Sequence, residues 1–194
     1  MKKPLIPTKE QSLYKETAKL RVLEVLFLYP EKEFSMTDLA KEAGVAKSNI
    51  GKILEELRTK GFVEIIKLNV MWRIKSSQQD EGFLRSKIIY NLNMVYQSGL
   101  AGFLVDFFKN PKSITLFGSF RKGEDTSNSD IDIAIEDEGA KEHRIMQLKE
   151  LAGLEARTKR KIQIHLFNRK NIDAGLFNNI ANGIVLSCFL EVKK

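Results

Sequence analysis

The chain has 194 residues, which is long enough for two small domains or one of intermediate size. Hydrophobic residues make up 43% and charged residues 29%, a balance typical of a soluble folded protein and not of a disordered chain. No run approaches the roughly 20 apolar residues of a membrane span, and no signal-like apolar core is found near the start. We therefore expect a cytoplasmic protein.

Cys188 is the single cysteine, which excludes an intrachain disulfide and a thiolate metal cluster within one chain. We expect it to be a buried structural thiol.

The net charge of +7 is concentrated in the first part of the chain. Residues 1–76 contain 15 Lys and Arg against 10 Asp and Glu, and the remaining residues contain 17 against 15. A local basic excess suggests a polyanionic partner for that segment. A solvated lysine-rich surface would give the same count, so charge alone leaves both interpretations open.

Three helices are predicted in this first segment. Apolar residues recur at helical spacing over 20–28, and Tyr29–Pro30 ends the pattern because proline cannot continue a helix interior. Residues 35–38 have the form of a capping box, and Gly44 suits a left-handed helix end. The third helix presents an apolar stripe before Lys60–Gly61, formed by Ile50, Ile53, Leu54 and Leu57.

Two β-rich runs follow, over 62–68 and 70–75, with Asn69 as the predicted turn. The order of helix, helix-turn-helix and hairpin over 18–76 resembles the winged helix-turn-helix family. The apolar stripe turns the N-terminal end of the third helix toward solvent, where such proteins enter the major groove. The candidate DNA-binding residues are Lys47, Ser48, Asn49 and Lys52 on the helix, and Lys67, Arg73 and Lys75 on the hairpin. A protein-docking module is the alternative for this domain.

The apolar pattern breaks at Ser76–Asp80, and we place a domain boundary there. A linker helix is predicted over 77–97, with one face formed by Phe83, Leu84, Ile88, Leu92, Val95 and Tyr96. A further helix over 100–108 leads into the last domain, 98–194. The predicted fold class is α+β: an N-terminal winged helix-turn-helix over 1–76, the linker helix, and an α/β domain with a small mixed sheet.

The candidate active-site residues lie on or directly after two predicted strands of this last domain. The strand 113–117 ends in Gly118–Ser119, where backbone N–H groups and a hydroxyl can hold a phosphate. The strand that begins near residue 129 carries Asp130 and Asp132 on one face, because side chains alternate along a strand. Two adjacent carboxylates repel each other unless a cation neutralises them, and such oxygen ligands suit Mg²⁺.

The strand, Gly-Ser, ten-residue loop and Asp-x-Asp together resemble the minimal nucleotidyltransferase branch of the DNA polymerase beta superfamily, over about 98–190. The resemblance implies that Gly118 and Ser119 hold a nucleoside triphosphate and that Asp130 and Asp132 bind Mg²⁺ or Mn²⁺ and are catalytic. Two nearby basic residues, Arg121 and Lys122, are candidates for neutralising phosphate charge, although a solvated basic pair is the alternative for them.

One departure from that family concerns its third carboxylate. The matching strand is predicted at 161–167, with Gln163 in the place of the acid. Glu136 does not substitute, because four residues of extended chain place it about 13 Å from Asp132. His165 shares a face with Gln163 and is a candidate base or ligand, with a structural role as the alternative.

Two other polar segments carry weaker signals. We expect His143 to lie on an exposed helix face. The basic run 157–161 is expected to be a solvated helix end, with a nucleic-acid or triphosphate surface as the alternative.

Two functions remain in competition. The first is transfer of a nucleoside monophosphate from a triphosphate to an acceptor of unknown class, and the second is a DNA-binding regulator whose degenerate transferase domain binds nucleotide or a partner without turnover. Gln163 favours the second, and the intact Gly-Ser and Asp-x-Asp favour the first. Small transferases similar to this one often act as antitoxins beside HEPN-type toxins, so the resemblance makes a toxin protein a candidate partner besides nucleoside triphosphate, DNA and a second copy of the chain.

Overall fold

The structure is a computed structural model that describes residues 17–68, 72–170 and 172–192. Contacts between these residues divide the chain into two units, 17–87 and 88–192. Each unit is described separately below.

The first unit contains three helices followed by a β-hairpin, in the order that the sequence predicts. The helices are α1 (Ala18–Leu28), α2 (Met36–Glu42) and α3 (Lys47–Thr59), and the antiparallel strands are β1 (Val63–Lys67) and β2 (Trp72–Ser76). The predicted turn at Asn69 lies outside the described residues. Residue Ser76, which we expected after the hairpin, instead belongs to β2 and is buried.

The ends of the short helix α2 are fixed by local interactions. The Ser35 hydroxyl accepts a hydrogen bond from the backbone N–H of Asp38 and donates one to its carboxylate, at 3.1 and 2.7 Å. Such an N-cap satisfies a helix N–H that otherwise has no partner. Gly44 follows α2 with a positive φ of 58°, as predicted. The apolar stripe of α3 is buried in this unit, as its spacing predicts: Ile50, Ile53, Leu54 and Leu57.

A long helix, α4 (Glu81–Gln97), follows the hairpin, and the division between the units falls within it. Its first turn packs with the first unit through Phe83, whose ring centroid lies 5.2 Å from that of Phe27. The helix lies within the linker predicted at 77–97, while the domain boundaries themselves stay predictions. Tyr96 is 54% exposed, so the expectation that it shares the buried face is wrong. The buried positions near the end of α4 are instead Asn91, Met94 and Val95.

The second unit is built on one five-stranded mixed sheet in the order β5-β6-β4-β3-β7. Its strands are β3 (Ser113–Phe117), β4 (Ile131–Glu136), β5 (Arg144–Met146), β6 (Ile162–Phe167) and β7 (Ile184–Cys188). Its helices are α5 (Leu100–Phe107), α6 (Gly118–Lys122), α7 (Ala152–Thr158), which follows a 3-10 turn, and α8 (Ala174–Ala181). Only the pairing of β4 with β6 is parallel, so the small mixed sheet predicted from the sequence is present.

The two faces of this sheet are covered by different cores. Alternate residues of the three central strands, among them Leu116, Ile133 and Ile164, pack in the larger core with the apolar residues of α5 and α7. The opposite face contributes Phe117, Ala134 and Phe167 to a smaller core that includes Ile180 of α8. Because side chains alternate along a strand, the polar residues Asp132, Gln163 and His165 belong to this second face.

A buried ion pair joins the end of α7 to the loop after α6. The Arg160 guanidinium contacts the Asp125 carboxylate at 2.7 and 2.8 Å, and both side chains are at most 1% exposed. Asn91 donates to the same carboxylate at 2.9 Å. The expectation that 157–161 is a solvated basic helix end is therefore wrong for Arg160. In the sequence, Arg160 is one of several basic residues in a row, and its partner Asp125 lies 35 residues away. The pair could therefore not be predicted from the local pattern.

Cys188 is exposed, so the expectation of a buried thiol is wrong. It is the last residue of the edge strand β7 and has a positive φ of 62°, a conformation that is uncommon for residues other than glycine. In the part of the chain that the structure describes, no helix combines the length and apolarity needed to cross a bilayer.

We predict that Arg160→Leu lowers the free energy of unfolding by about 3–5 kcal/mol, because it leaves the Asp125 charge buried without this partner. Urea denaturation of the purified protein measures the change. Arg157→Leu removes the same side chain from an exposed position of α7 and should change stability by no more than about 0.5 kcal/mol. Equal losses in the two variants would contradict the structural role of the buried pair.

Candidate active site

Gly118 lies at the junction of β3 and α6, directly beside the Asp132 carboxylate. Its φ is +75°, and a Cβ added at this position would collide with Asp132 Oδ2. The antiparallel pairing of β3 with β4 causes this approach, because it places Phe117 opposite Asp132. Glycine is thus required by its backbone conformation and by the space that the carboxylate occupies.

The two aspartates are half-buried at the start of β4. Asp130 directly precedes the strand, and Asp132 is the second residue of the strand. The Asp132 side chain is 24% exposed, so its carboxylate remains accessible to a ligand. The side chains of Gln163 and His165 contact Asp130 and Asp132, respectively. The structure thus brings both predicted aspartates together with both residues that we predicted on the neighbouring strand.

Gln163 lies where the sequence predicted it, next to Asp132 in the parallel pairing of β4 with β6. Its Nε2 donates a hydrogen bond to Asp130 Oδ2. An amide at this position binds one of the carboxylates without adding a third negative charge. Within the described residues, no group of three acidic, His or Cys side chains has the arrangement of a complete metal site.

The two histidines of the chain lie side by side, and one of them, His165, contacts Asp132. Their rings are stacked, with centroids 5.5 Å apart and an interplanar angle of 16°, and His143 Nε2 lies 3.3 Å from His165 Nδ1. Burial, and secondarily the charge of His165, lower the pKa of the His143 imidazole. His143 was expected on an exposed helix face; it is instead half-buried before β5, which starts at Arg144. His143 comes next to His165 because β5, which directly follows His143, pairs with β6.

The other predicted phosphate-binding residues lie in the short helix α6. Ser119 and Arg121 are half-buried, and Lys122 is exposed. The carbonyl oxygen of Ser119 accepts hydrogen bonds from the backbone of Gly123 and Glu124, which closes the loop after α6. The Ser119 hydroxyl is not needed for that closure.

Glu136 lies at the opposite end of β4 from Asp130. Its buried carboxylate receives hydrogen bonds from Arg169 at 3.1 and 3.2 Å and from the Ser113 hydroxyl at 3.3 Å. Glu136 therefore belongs to a separate ion pair and does not replace the missing acid.

Comparison with known proteins supports one superfamily for this segment. Residues 103–189 match the family model described as polymerase beta, nucleotidyltransferase. This match supports the superfamily to which Gly118–Ser119 and Asp130–Asp132 pointed. No curated protein and no solved structure matches the chain. The nucleotidyltransferase match does not reach residues before 103, so the winged helix over 18–76 stays a prediction.

The collision at Gly118 in the nucleotidyltransferase segment yields a testable difference between two glycines. Gly99 has a similar φ of +72° but open space where a Cβ would be. Gly99→Ala should lose roughly 1–2 kcal/mol through its backbone conformation alone. Gly118→Ala should lose about 1–3 kcal/mol more, because the Asp132 carboxylate must move. Thermal or urea denaturation compares them, and equal losses would show that Asp132 does not crowd Gly118.

Proposed function

We propose that the segment over about 98–190 transfers a nucleoside monophosphate from a nucleoside triphosphate to an acceptor, with a divalent cation bound by Asp130 and Asp132. One observation carries this proposal: within the segment that matches the nucleotidyltransferase model, the half-buried carboxylate of Asp132 lies beside Gly118, with half-buried Asp130 two residues before it. Nucleotidyltransferase domains use a divalent cation and a nucleoside triphosphate, so both are proposed here.

The residues of the site fit such a cation. Mg²⁺ is usually bound in proteins by one or two carboxylates and completes its coordination with water and substrate phosphates. Asp130 and Asp132 supply these carboxylates, and Gln163 holds Asp130 in place through its amide. A bound divalent cation would neutralise the phosphates and stabilise the pyrophosphate leaving group.

The residues around β3 and α6 are proposed to bind the triphosphate. Gly118 lacks a side chain, so a phosphate can come close to the backbone, and the Ser119 hydroxyl can donate a hydrogen bond to it. Arg121 and Lys122 add positive charge in the same helix. Together these groups would orient the α-phosphorus for in-line attack by the acceptor.

The absence of an acid at position 163 has a consequence for catalytic turnover. The family's third carboxylate helps to bind the catalytic cation and accepts the proton of the attacking group, and a neutral amide does neither. This favours the second candidate function, in which a transferase domain that has lost turnover binds nucleotide or a partner protein.

We predict that the protein binds nucleoside triphosphate with Mg²⁺ and at most weakly in a chelator, because Asp130 and Asp132 repel the phosphates until a cation bridges them. Replacing each aspartate by asparagine should weaken this binding at least about tenfold. The double variant should also abolish any transfer. Calorimetry measures the binding, and labelled nucleoside triphosphates incubated with cell lysate measure the transfer.

Asp106→Asn is the matched control, because this aspartate is exposed on α5 and away from the site. It should bind nucleotide as the wild type does. Turnover that survives the Asp130→Asn, Asp132→Asn double substitution would eliminate the catalytic assignment. A wild type that binds nucleotide but is inert with every acceptor would select the non-catalytic alternative.

For the first unit we propose a winged helix-turn-helix that binds DNA. This proposal is supported by the succession of α2, α3 and the hairpin, and by the exposure of four residues at the start of α3: Lys47, Ser48, Asn49 and Lys52. An asparagine side chain can pair with an adenine edge, and lysines can contact guanine or phosphate.

Two hairpin cations of the proposed surface already have acidic neighbours. Lys67 lies 3.0 Å from Glu55, and Arg73 forms an ion pair with Glu33. These pairs are exposed, and exposed pairs contribute about 0–1 kcal/mol, so phosphates can displace the carboxylates at little cost. Lys75 is also exposed and completes the proposed set of backbone contacts.

Gly51 gives independent support for a close partner on α3. It lies inside the helix, and a Cβ there would meet no atom within 4 Å. Glycine in a helix interior costs roughly 0.5–1 kcal/mol relative to alanine, and the packing of the domain does not require it. A DNA backbone or base edge that approaches the helix closely would require it.

We predict that the protein shifts a DNA fragment from upstream of its own gene in gel titrations. Lys67→Gln with Lys75→Gln should weaken binding to all sequences and lower the salt slope by up to about one unit per lost phosphate contact. Asn49→Ala should instead relax sequence preference, at roughly 1–3 kcal/mol on the best site.

The charge-matched control is Lys149→Gln with Lys170→Gln, two exposed lysines outside the first unit. It should leave DNA binding nearly unchanged. A wild type that binds no DNA even at low salt would leave the first unit as a protein-docking module.

The combination of a nucleotidyltransferase with a DNA-binding domain supports an antitoxin that regulates its own operon. In this proposal the acceptor is a partner toxin protein, which the transferase modifies with a nucleotide. Co-expression with the product of the neighbouring gene, followed by mass spectrometry of that product, tests this. An added nucleotide mass supports it, and an unmodified product that does not bind this protein contradicts it.

A further inference from the structure

The imidazole of His165 is buried next to Asp132 and is only partly satisfied by hydrogen bonds. Its side chain is 9% exposed, and Nε2 lies 3.4 Å from Asp132 Oδ1. This is within ion-pair distance, yet Nε2 forms no hydrogen bond with any of the described residues. A buried polar atom without a partner is rare and needs an explanation.

The hydrogen bond of the other ring nitrogen of His165 determines the tautomer of the imidazole. Its Nδ1 lies 3.3 Å from His143 Nε2, and one of these two nitrogens must donate. A proton on Nδ1 of His165 has His143 Nε2 as its acceptor, whereas a proton on Nε2 would have no hydrogen-bond partner among the described residues. His165 then donates from Nδ1, which leaves a lone pair on Nε2.

This arrangement places two acceptors, Nε2 of His165 and a carboxylate oxygen of Asp132, against each other. Such a contact is unfavourable unless a cation lies between them. Two ligands that share one ion at about 2.1 Å each are about 3.0–3.4 Å apart for ligand angles between about 90° and 109°. The separation in the structure lies within this range.

We propose that Asp132 and His165 together form a mixed oxygen and nitrogen site that prefers a first-row transition metal ion such as Zn²⁺ over Mg²⁺, with His143 as the positioning residue. Imidazole nitrogen suits zinc and its neighbours, whereas Mg²⁺ is bound by oxygen. A metal-bound histidine commonly donates its second ring N–H to an acceptor that fixes the tautomer, and His143 provides that acceptor.

This inference rests on the proposed function only in placing a cation at Asp132. It also changes the interpretation of Gln163. The carboxylate that is absent at position 163 is replaced by a neutral ligand, His165, which lies two residues further along β6 on the same face. The site would therefore hold a more strongly binding ion with less negative charge.

Histidine ring nitrogens labelled with ¹⁵N test the proposal in the wild-type protein. The chain has only two histidines, so the four ring signals can be assigned with a single His143→Ala variant. Without metal, His165 is expected to carry its proton on Nδ1. Saturation with Zn²⁺ should move the His165 Nε2 signal, and excess Mg²⁺ should not. An Nε2 signal that Zn²⁺ leaves in place, or a proton on Nε2, would overturn the proposal.

Variants test the two roles by calorimetry with Zn²⁺ and Mg²⁺ alone. His165→Asn should weaken Zn²⁺ binding at least about tenfold while changing Mg²⁺ binding less than about threefold. His143→Ala should weaken Zn²⁺ binding by roughly 10- to 100-fold and populate the other tautomer of His165, a spectroscopic change that a merely structural residue would not cause. Equal effects of His165→Asn on both ions would refute the selectivity.

The experiments distinguish failure of this inference from failure of the proposed transferase function. If the nucleoside triphosphate binds with Mg²⁺ equally well in the wild type and in His165→Asn, and Zn²⁺ does not reach Nε2, the transferase proposal stands and this inference fails. If Zn²⁺ binds through Nε2 but no nucleotide binds with any cation, this inference stands and the transferase proposal fails.

Discussion

The parallel pairing of β4 with β6 is the constraint on which the candidate site depends. It sets Asp132 beside Gln163 and Ala134 beside His165, and it directs both β6 side chains to the carboxylates of Asp130 and Asp132. A shift of one residue would turn both polar side chains into the larger core, and the apolar residues of β6 would leave it. The hydrophobic pattern of Ile162, Ile164 and Leu166 therefore protects the register of the site as well as the stability of the sheet.

Local signals in the sequence were enough to predict much of this fold. The Ser35 cap, the apolar stripe of α3 and the run 113–117 each depend on residues close together in the chain, and the structure contains the corresponding elements. The position of Gln163 next to the aspartates was also expected, because the resemblance to the polymerase beta superfamily implies a third carboxylate from a neighbouring strand, and Gln163 stands in its place. The superfamily match over 103–189 agrees with the predicted nucleotidyltransferase domain.

Features that depend on distant contacts were missed. Arg160 is buried because its guanidinium pairs with the Asp125 carboxylate, which also accepts a hydrogen bond from Asn91, and its neighbours in sequence give no sign of this. His143 lies beside His165 because a three-residue edge strand pairs with β6, and such a short strand has little periodicity of its own. Cys188 is surrounded by apolar residues in sequence, yet its side chain is exposed at the end of β7, where the backbone has a positive φ. In each case a tertiary contact or a backbone turn overrides composition.

The exposure of Cys188 has a practical consequence. Since the 194-residue chain has one cysteine and its thiol is accessible, a maleimide dye attaches at a single known position without any mutagenesis. That position is on β7, which pairs with β3, the strand that ends directly before Gly118. Energy transfer from this dye to a fluorescent nucleotide or to labelled DNA would report, in the wild-type molecule, where each ligand binds.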